Sequence, residues 1–138
     1  MIKASSVAST LVLGCLWPSS EAIAGCSSGQ LNQSQLQSKL SNNTVCAVRG
    51  SDSWQELHQS DGALIDYKLG PGHPVDPSEK VGNWSIAGTG SDATVVYNYG
   101  SGGTYRYKVY QNAGNNYSFC VGATELLATV KTGGGTCP

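Results

Sequence analysis

The strongest constraint on the fold is a two-residue alternation of apolar and polar side chains in the second half of the chain. The apolar positions are Val95, Tyr97 and Tyr99, then Tyr105, Tyr107 and Val109, then Tyr117, Phe119 and Val121. Successive side chains of a β-strand point to opposite faces of the sheet, so each run predicts a strand with one apolar, aromatic face. Glycine-containing segments at residues 100–103 and 112–114 separate the runs and predict hairpin loops.

The hairpins can be paired so that the aromatic residues stay on one face. The favoured pairings are Trp84 with Tyr97, Tyr97 with Tyr107, Tyr107 with Phe119 and Phe119 with Ala128. The last three require loops at residues 100–104, 112–114 and 122–125. A slip of one residue would turn every side chain of a strand to the other face, so the register that gives a single apolar face is favoured.

An earlier hairpin is predicted by Asp61-Gly62, which lies between two strand-like runs and is typical of a two-residue hairpin loop. In that register Glu56 lies opposite Tyr67, and His58 lies on the same face as Glu56. This face is the more apolar one, so we expect it to point inward. The register therefore predicts an inner-face polar cluster of Glu56, His58 and Tyr67.

Eight strands can be assigned in this way, in meander order along the chain. The simplest closed arrangement is an all-β, eight-stranded antiparallel up-and-down barrel, because closure removes exposed strand edges. A two-sheet β-sandwich is the alternative, since the same alternation permits it.

One short helix is predicted at residues 27–41, ahead of the strands. Ser27 and Gln30 fit a capping box at its start, and Leu31, Leu36 and Leu40 supply a narrow apolar stripe. We expect this helix to lie on the barrel wall or to close one end of the barrel.

The first 24 residues have the pattern of a secretory signal peptide. Lys3 is followed by a short apolar run, and Ala22-Ile23-Ala24 gives a small-x-small cleavage site. This predicts a secreted or periplasmic protein whose single domain spans residues 25–138. The alternative is a lipoprotein anchored to the membrane through Cys15.

The remaining cysteines predict two disulfides, as is usual for a small exported domain. They are Cys26, Cys46, Cys120 and Cys137. In an up-and-down barrel Cys46 and Cys120 would lie near opposite rims, which disfavours a bond between them and leaves two pairings open. Their spacing does not fit a zinc site, so no metal or other cofactor is predicted.

The charge pattern excludes some classes of partner. Charged residues make up 12% of the chain and the net charge is −1, whereas nucleic-acid binding needs clustered lysine and arginine. After the leader there is no apolar run long enough to span a membrane, so no transmembrane segment is expected.

Candidate ligand-binding residues come from the predicted inner face. They are Trp54, Glu56, His58, Tyr67, Trp84, Tyr97, Tyr99, Tyr105 and Tyr107. As a filled core, the aromatic rings would leave room for a ligand only at a rim, beside Tyr99 and Tyr105; as a pocket, they would line an internal cavity. The filled core is favoured.

Several segments resemble those of small exported bacterial lipocalin-like domains. They are a leading helix, Leu-Ser-Asn-Asn-Thr-Val at residues 40–45, Trp54 followed by Asp61-Gly62, Gly-Asn-Trp-Ser-Ile at residues 82–86, and the tyrosine-rich hairpins. The resemblance implies a binding protein rather than a catalyst, and it names no ligand.

The function predicted on this basis is binding of a small apolar or aromatic molecule, or of an extracellular partner protein, without catalysis. An inhibitor or interaction module acting through loops 70–80 and 100–104 is the alternative. A small hydrolase or isomerase using Glu56 and His58 is less favoured, because no catalytic motif accompanies them.

Overall fold

The computed structural model describes residues 24–67, 78–134 and 137. These residues form one α-helix and eight strands, and the strands close into an antiparallel barrel in which β8 pairs with β1. The elements are α1 Gln33–Leu40, β1 Asn43–Arg49, β2 Asp52–His58, β3 Ala63–Asp66, β4 Glu79–Ala87, β5 Thr94–Asn98, β6 Thr104–Gln111, β7 Asn116–Val121 and β8 Thr124–Thr132. The meander barrel is confirmed, and the sandwich alternative is wrong.

The helix closes one end of the barrel, but it begins later than predicted. Its N-cap is Asn32, whose side chain accepts a hydrogen bond from the Gln35 backbone N–H while the Gln35 side chain accepts one from Asn32 N–H. The helix therefore starts at this capping box and not at the one predicted at Ser27. Leu36 and Leu40 have no exposed surface and belong to the barrel core.

A single inner face runs through β4 to β8, as the alternation predicts. Trp84 pairs with Tyr97 as expected, and the rings of Tyr97 and Tyr107 lie on the same side with centroids 6.0 Å apart. Three later hairpins differ from the predicted registers by two residues. Their pairs are Tyr97 with Tyr105, Val109 with Phe119 and Phe119 with Leu126. A shift of two residues preserves the face, so the inner set is unchanged.

The register of the β2–β3 hairpin differs from the predicted one by one residue. A shift of one residue turns the β3 side chains to the opposite face of the sheet. Its loop contains three residues, ending in Gly62 at φ +91°, so Glu56 pairs with Asp66 rather than Tyr67. Tyr67 N–H instead donates to the Gln55 carbonyl, which places Tyr67 with the outward-facing residues of β2 and β3. The prediction of Tyr67 beside Glu56 on the inner face is therefore wrong.

Two disulfides tie the ends of the domain to the barrel. Cys26 bonds to Cys120 of β7, and Cys46 of β1 bonds to Cys137. This is one of the two pairings that the sequence left open. Neither bond joins Cys46 to Cys120, in agreement with their predicted separation.

Gly25 lies in a closely packed site beside β7 and β8. A methyl group there would contact the Glu125 carboxylate and the Ser118 hydroxyl, which hydrogen-bond each other at 2.6 Å. Gly25→Ala is therefore expected to displace the Glu125 side chain from Ser118 and to lower the free energy of unfolding by about 1 kcal/mol, the usual net contribution of one hydrogen bond. Urea denaturation checks this against Ser28→Ala, an exposed control that should change stability by less than about 0.5 kcal/mol. Equal stability of the two variants would contradict the packing described.

The predicted signal peptide and most of the 70–80 loop lie outside the described residues. Within the part of the chain that is described, no helix has the length and apolar character needed to cross a bilayer.

Candidate ligand cavity

A cavity of about 410 Å³ opens at one end of the barrel. The turns at this end that the structure describes in full are at residues 50–51, 99–103 and 122–123, and we call this end the open rim. The lining residues are Val45, Ala47, Arg49, Trp54, Glu56, Tyr97, Tyr99, Gly102, Tyr105, Tyr107, Phe119, Thr124 and Leu126. The barrel is thus filled at the helix end and hollow at the open rim.

Strand register shows how far along the barrel axis the backbone of each charged residue lies. Arg49 pairs with Asp52 next to the β1–β2 turn, whereas Glu56 pairs with Val45. Val45 is four residues from Arg49, so Glu56 lies about 13 Å farther along the strands at about 3.3 Å per residue. The backbone of Arg49 is therefore at the level of the mouth, and that of Glu56 is well inside the barrel.

Tyrosine rings form a continuous wall between these two levels. Ring centroids are 6.3 Å apart for Tyr97 and Tyr99, 6.0 Å for Tyr97 and Tyr107, and 6.0 Å for Tyr99 and Tyr105. Burial raises the pKa of Tyr97, Tyr99 and Tyr107, so their hydroxyls stay protonated at neutral pH. The wall therefore presents neutral tyrosine side chains to the cavity.

Glu56 reaches across the interior to the opposite side of the barrel. Tyr99 O–H donates to its carboxyl group, at 3.1 Å from Oε1 and 2.9 Å from Oε2. Burial raises the pKa of Glu56, Tyr99 partly offsets that rise, and nearby Asp66 adds to it. No described lysine, arginine or histidine forms an ion pair with this carboxyl group. Glu56 is thus a desolvated carboxyl group, and within the described part of the chain Tyr99 is its one side-chain hydrogen-bond donor.

His58 lies below the cavity floor and is fully buried. Its Nδ1 is 3.0 Å from the Glu56 backbone oxygen, which can only accept, so Nδ1 carries the proton. Nε2 then accepts from Tyr97 O–H at 2.8 Å. Burial lowers the pKa of His58 to about 4, so the ring is neutral at physiological pH.

The predicted ligand-binding residues fall into three groups. Those that line the cavity are Trp54, Glu56, Tyr97, Tyr99, Tyr105 and Tyr107. His58 and Trp84 pack beneath the floor, with ring centroids 5.1 Å apart, and Trp84 Nε1–H donates to the Gln59 carbonyl. Tyr67 lies on the outer face, as its register requires.

Sequence reasoning missed two charged residues of this region. Asp66 acts on the pKa of Glu56 because β3 is displaced by one residue from the predicted register. Arg49 lines the mouth, on the same side of β1 as Val45 and Ala47. The inward alternation of Val45, Ala47 and Arg49 was the signal that could have identified the arginine.

A second, shallower cavity of about 540 Å³ lies along the outside of the barrel. Val48 and Leu127 pair across β1 and β8 there and are 60% and 52% exposed. The Cys46–Cys137 bond borders this outer groove. Unlike the rim cavity, it has no charged side chain among its lining residues.

The chain matches no protein-family model, no curated protein and no solved structure. Among the described residues, histidine, cysteine, aspartate and glutamate side chains form no group of three able to hold a metal ion. Functional inference therefore depends on the cavity and its chemistry.

Proposed function

We propose that this protein is a disulfide-stabilised binding protein that holds a small aromatic or apolar molecule in the rim cavity. The cavity volume of about 410 Å³ carries this proposal, since it lies within the usual range of small-molecule sites. Its lining is mostly aromatic and aliphatic, with a few polar groups that can orient a ligand. The resemblance to lipocalin-like domains points in the same direction.

Acid–base catalysis by Glu56 and His58 is disfavoured by their surroundings. His58 has no exposed surface, and both ring nitrogens are hydrogen-bonded within the protein. A general acid or base must come within hydrogen-bond reach of the substrate proton. His58 does not line the cavity, so it does not meet this requirement.

Blocking the open rim tests the binding proposal. Thr124 is exposed and lines the cavity, so Thr124→Trp should place an indole at the mouth without disturbing the core. With the neutral fluorescent probe N-phenyl-1-naphthylamine, we expect saturable fluorescence enhancement in the unmodified protein and at least a tenfold loss of affinity in Thr124→Trp. The added side chain excludes the probe because packed interiors leave little free space.

Ser85→Trp is the matched control, because Ser85 is exposed on the outer face of β4 and the same side chain is added. It should bind the probe as the unmodified protein does. Probe binding that survives Thr124→Trp and is lost in Val48→Lys would place the site in the outer groove and would refute the rim site.

We propose export from the cytoplasm as the setting of this function. Disulfides persist in oxidising compartments, and the domain has two. Residues 1–24 would supply the secretory signal, with lipid attachment at Cys15 as the alternative.

A partner protein on the outer groove is the second candidate. The exposed pair Val48 and Leu127 favours it, since contiguous exposed apolar side chains often mark interaction sites. A probe that binds only in this groove would support this candidate over the rim cavity.

A further inference from the structure

The rim cavity combines an aromatic wall with one desolvated carboxyl group. A neutral apolar ligand would use the tyrosine rings, but among the described residues it would leave Glu56 with the Tyr99 hydroxyl as its one side-chain donor. Removing a carboxylate from water is costly unless a cation or several hydrogen bonds compensate it. The site is thus incomplete for a neutral ligand in a way that a cationic ligand would remedy.

From this arrangement we infer that the rim cavity selects an organic ammonium ion, a protonated or quaternary amine on an aromatic or apolar body, with its charge against Glu56. This inference rests on the proposed binding function and names the chemical class of the ligand. The amine would reach the carboxyl oxygens that Tyr99 leaves accessible, and the apolar body would lie toward the open rim.

The tyrosine wall supplies a second, independent attraction for a cation. Aromatic faces attract ammonium groups that lie within about 6 Å of the ring centroid. Tyr97, Tyr99, Tyr105 and Tyr107 all line the cavity and Tyr99 O–H donates to Glu56, so a cation beside this carboxyl group lies among tyrosine rings. Burial raises the pKa of Tyr97, Tyr99 and Tyr107, so these three rings stay neutral and add no competing negative charge.

The other charged groups have positions compatible with this selection. Asp66 lies close enough to Glu56 for its negative charge to raise the pKa of that carboxyl group. Arg49 lies toward the mouth, and its charge offsets part of the rise that burial causes in the pKa of Tyr107. Arg49 and Glu56 are separated by four residues along the strands, so the backbone of Arg49 lies about 13 Å nearer the mouth than that of Glu56.

Three probes of similar size and different charge test the inference by displacement of N-phenyl-1-naphthylamine at pH 7.5. They are 2-phenylethylamine, a cation; 2-phenylethanol, a neutral molecule; and 3-phenylpropionate, an anion. In the unmodified protein we expect the amine to displace the dye at a concentration at least tenfold lower than the alcohol, and the acid to be the weakest.

Glu56→Gln keeps an acceptor for Tyr99 O–H and removes the charge. We expect the preference for the amine over the alcohol to fall to within about threefold in this variant, because a carboxylate–ammonium contact contributes more than a neutral hydrogen bond. Asp92→Asn is the control for net charge, since Asp92 is exposed beyond the helix end of β5, and it should retain the amine preference.

Dye binding itself reports whether each variant has folded with its cavity intact. The order of the three probes in the unmodified protein tests the inference even where Glu56→Gln does not fold. Equal displacement by amine and alcohol, a preference for the acid, or an amine preference that persists in Glu56→Gln would each overturn the ammonium selection and leave the rim site standing. Failure of the dye to bind at the rim would refute the proposed function itself.

Discussion

Replacing Cys46 and Cys137 with serine is expected to lower the free energy of unfolding by about 4 kcal/mol. The bond joins residues 91 positions apart, and closing so long a loop removes much of the conformational entropy of the unfolded chain. The same reasoning applies to Cys26 and Cys120, which are 94 positions apart. Because small domains have a net stability of about 5–15 kcal/mol, loss of both bonds should leave much of the protein unfolded at 37 °C.

Urea denaturation of the two double-serine variants and of the reduced protein measures these effects, with mass spectrometry verifying that the remaining bond is intact. The dye should still bind to the Cys46/Cys137 variant in the absence of urea, since that bond borders the outer groove and not the rim cavity. A loss below about 1 kcal/mol for either variant would contradict the expected stabilisation.

Acidification is expected to destabilise the protein through His58 by about 3 kcal/mol between pH 6.5 and pH 4. The unfolded chain protonates this histidine at its ordinary pKa of 6.5, whereas burial lowers the pKa in the folded protein to about 4. In this interval unfolding takes up a proton, so stability falls as the pH falls. Above pH 6.5 the ring is neutral in both states and the effect vanishes.

Glu56 has the opposite influence on the pH dependence of stability. The contribution of His58 is therefore measured in a variant that lacks the Glu56 carboxyl group. Its pKa is raised in the folded state, so it favours folding as the pH falls through that raised pKa toward 4.5. Stability is therefore compared between Glu56→Gln and Glu56→Gln/His58→Gln by urea denaturation at intervals from pH 4 to pH 7.5. As the pH falls, Glu56→Gln should lose up to about 1.4 kcal/mol of stability per pH unit more than Glu56→Gln/His58→Gln does. Parallel pH profiles would contradict the buried neutral state of His58.

The residues of the inner face could be predicted from the sequence because the apolar–polar alternation shows which side chains share a face. It does not show which residues of neighbouring strands lie opposite each other. Tyr97 faces the same side whether it pairs with Tyr107, as expected, or with Tyr105, as observed, since the two differ by an even number of residues. The exact hairpin loops were not predictable, because Gly103 and Gly114 each permit several turn geometries through positive φ angles.

In the β2–β3 hairpin a local turn signal predicted the wrong cross-strand partner for Glu56. Asp61-Gly62 favours a two-residue loop, but Gly62 N–H donates to the Gln59 carbonyl and the Asp61 side chain accepts from Ala63 N–H. These bonds stabilise a loop longer by one residue. Tyr67 is consequently turned outward and Asp66 is brought to the level of Glu56.

The cavity could not be predicted from pattern alone. Its floor depends on two hydrogen bonds across the barrel, from Tyr99 to Glu56 and from Tyr97 to His58. Alternation identifies these residues as inward-facing, but it does not determine which side chains span the interior or how much volume they leave at the open rim.

The location of the bound molecule is the central claim, and intermolecular nuclear Overhauser effects from bound 2-phenylethylamine test it most directly. We expect contacts from its ring protons to the rings of Tyr99 and Tyr105 and to the Leu126 methyl groups, which all line the rim cavity. Contacts confined to the methyl groups of Val48 and Leu127, in the outer groove, would contradict binding inside the barrel.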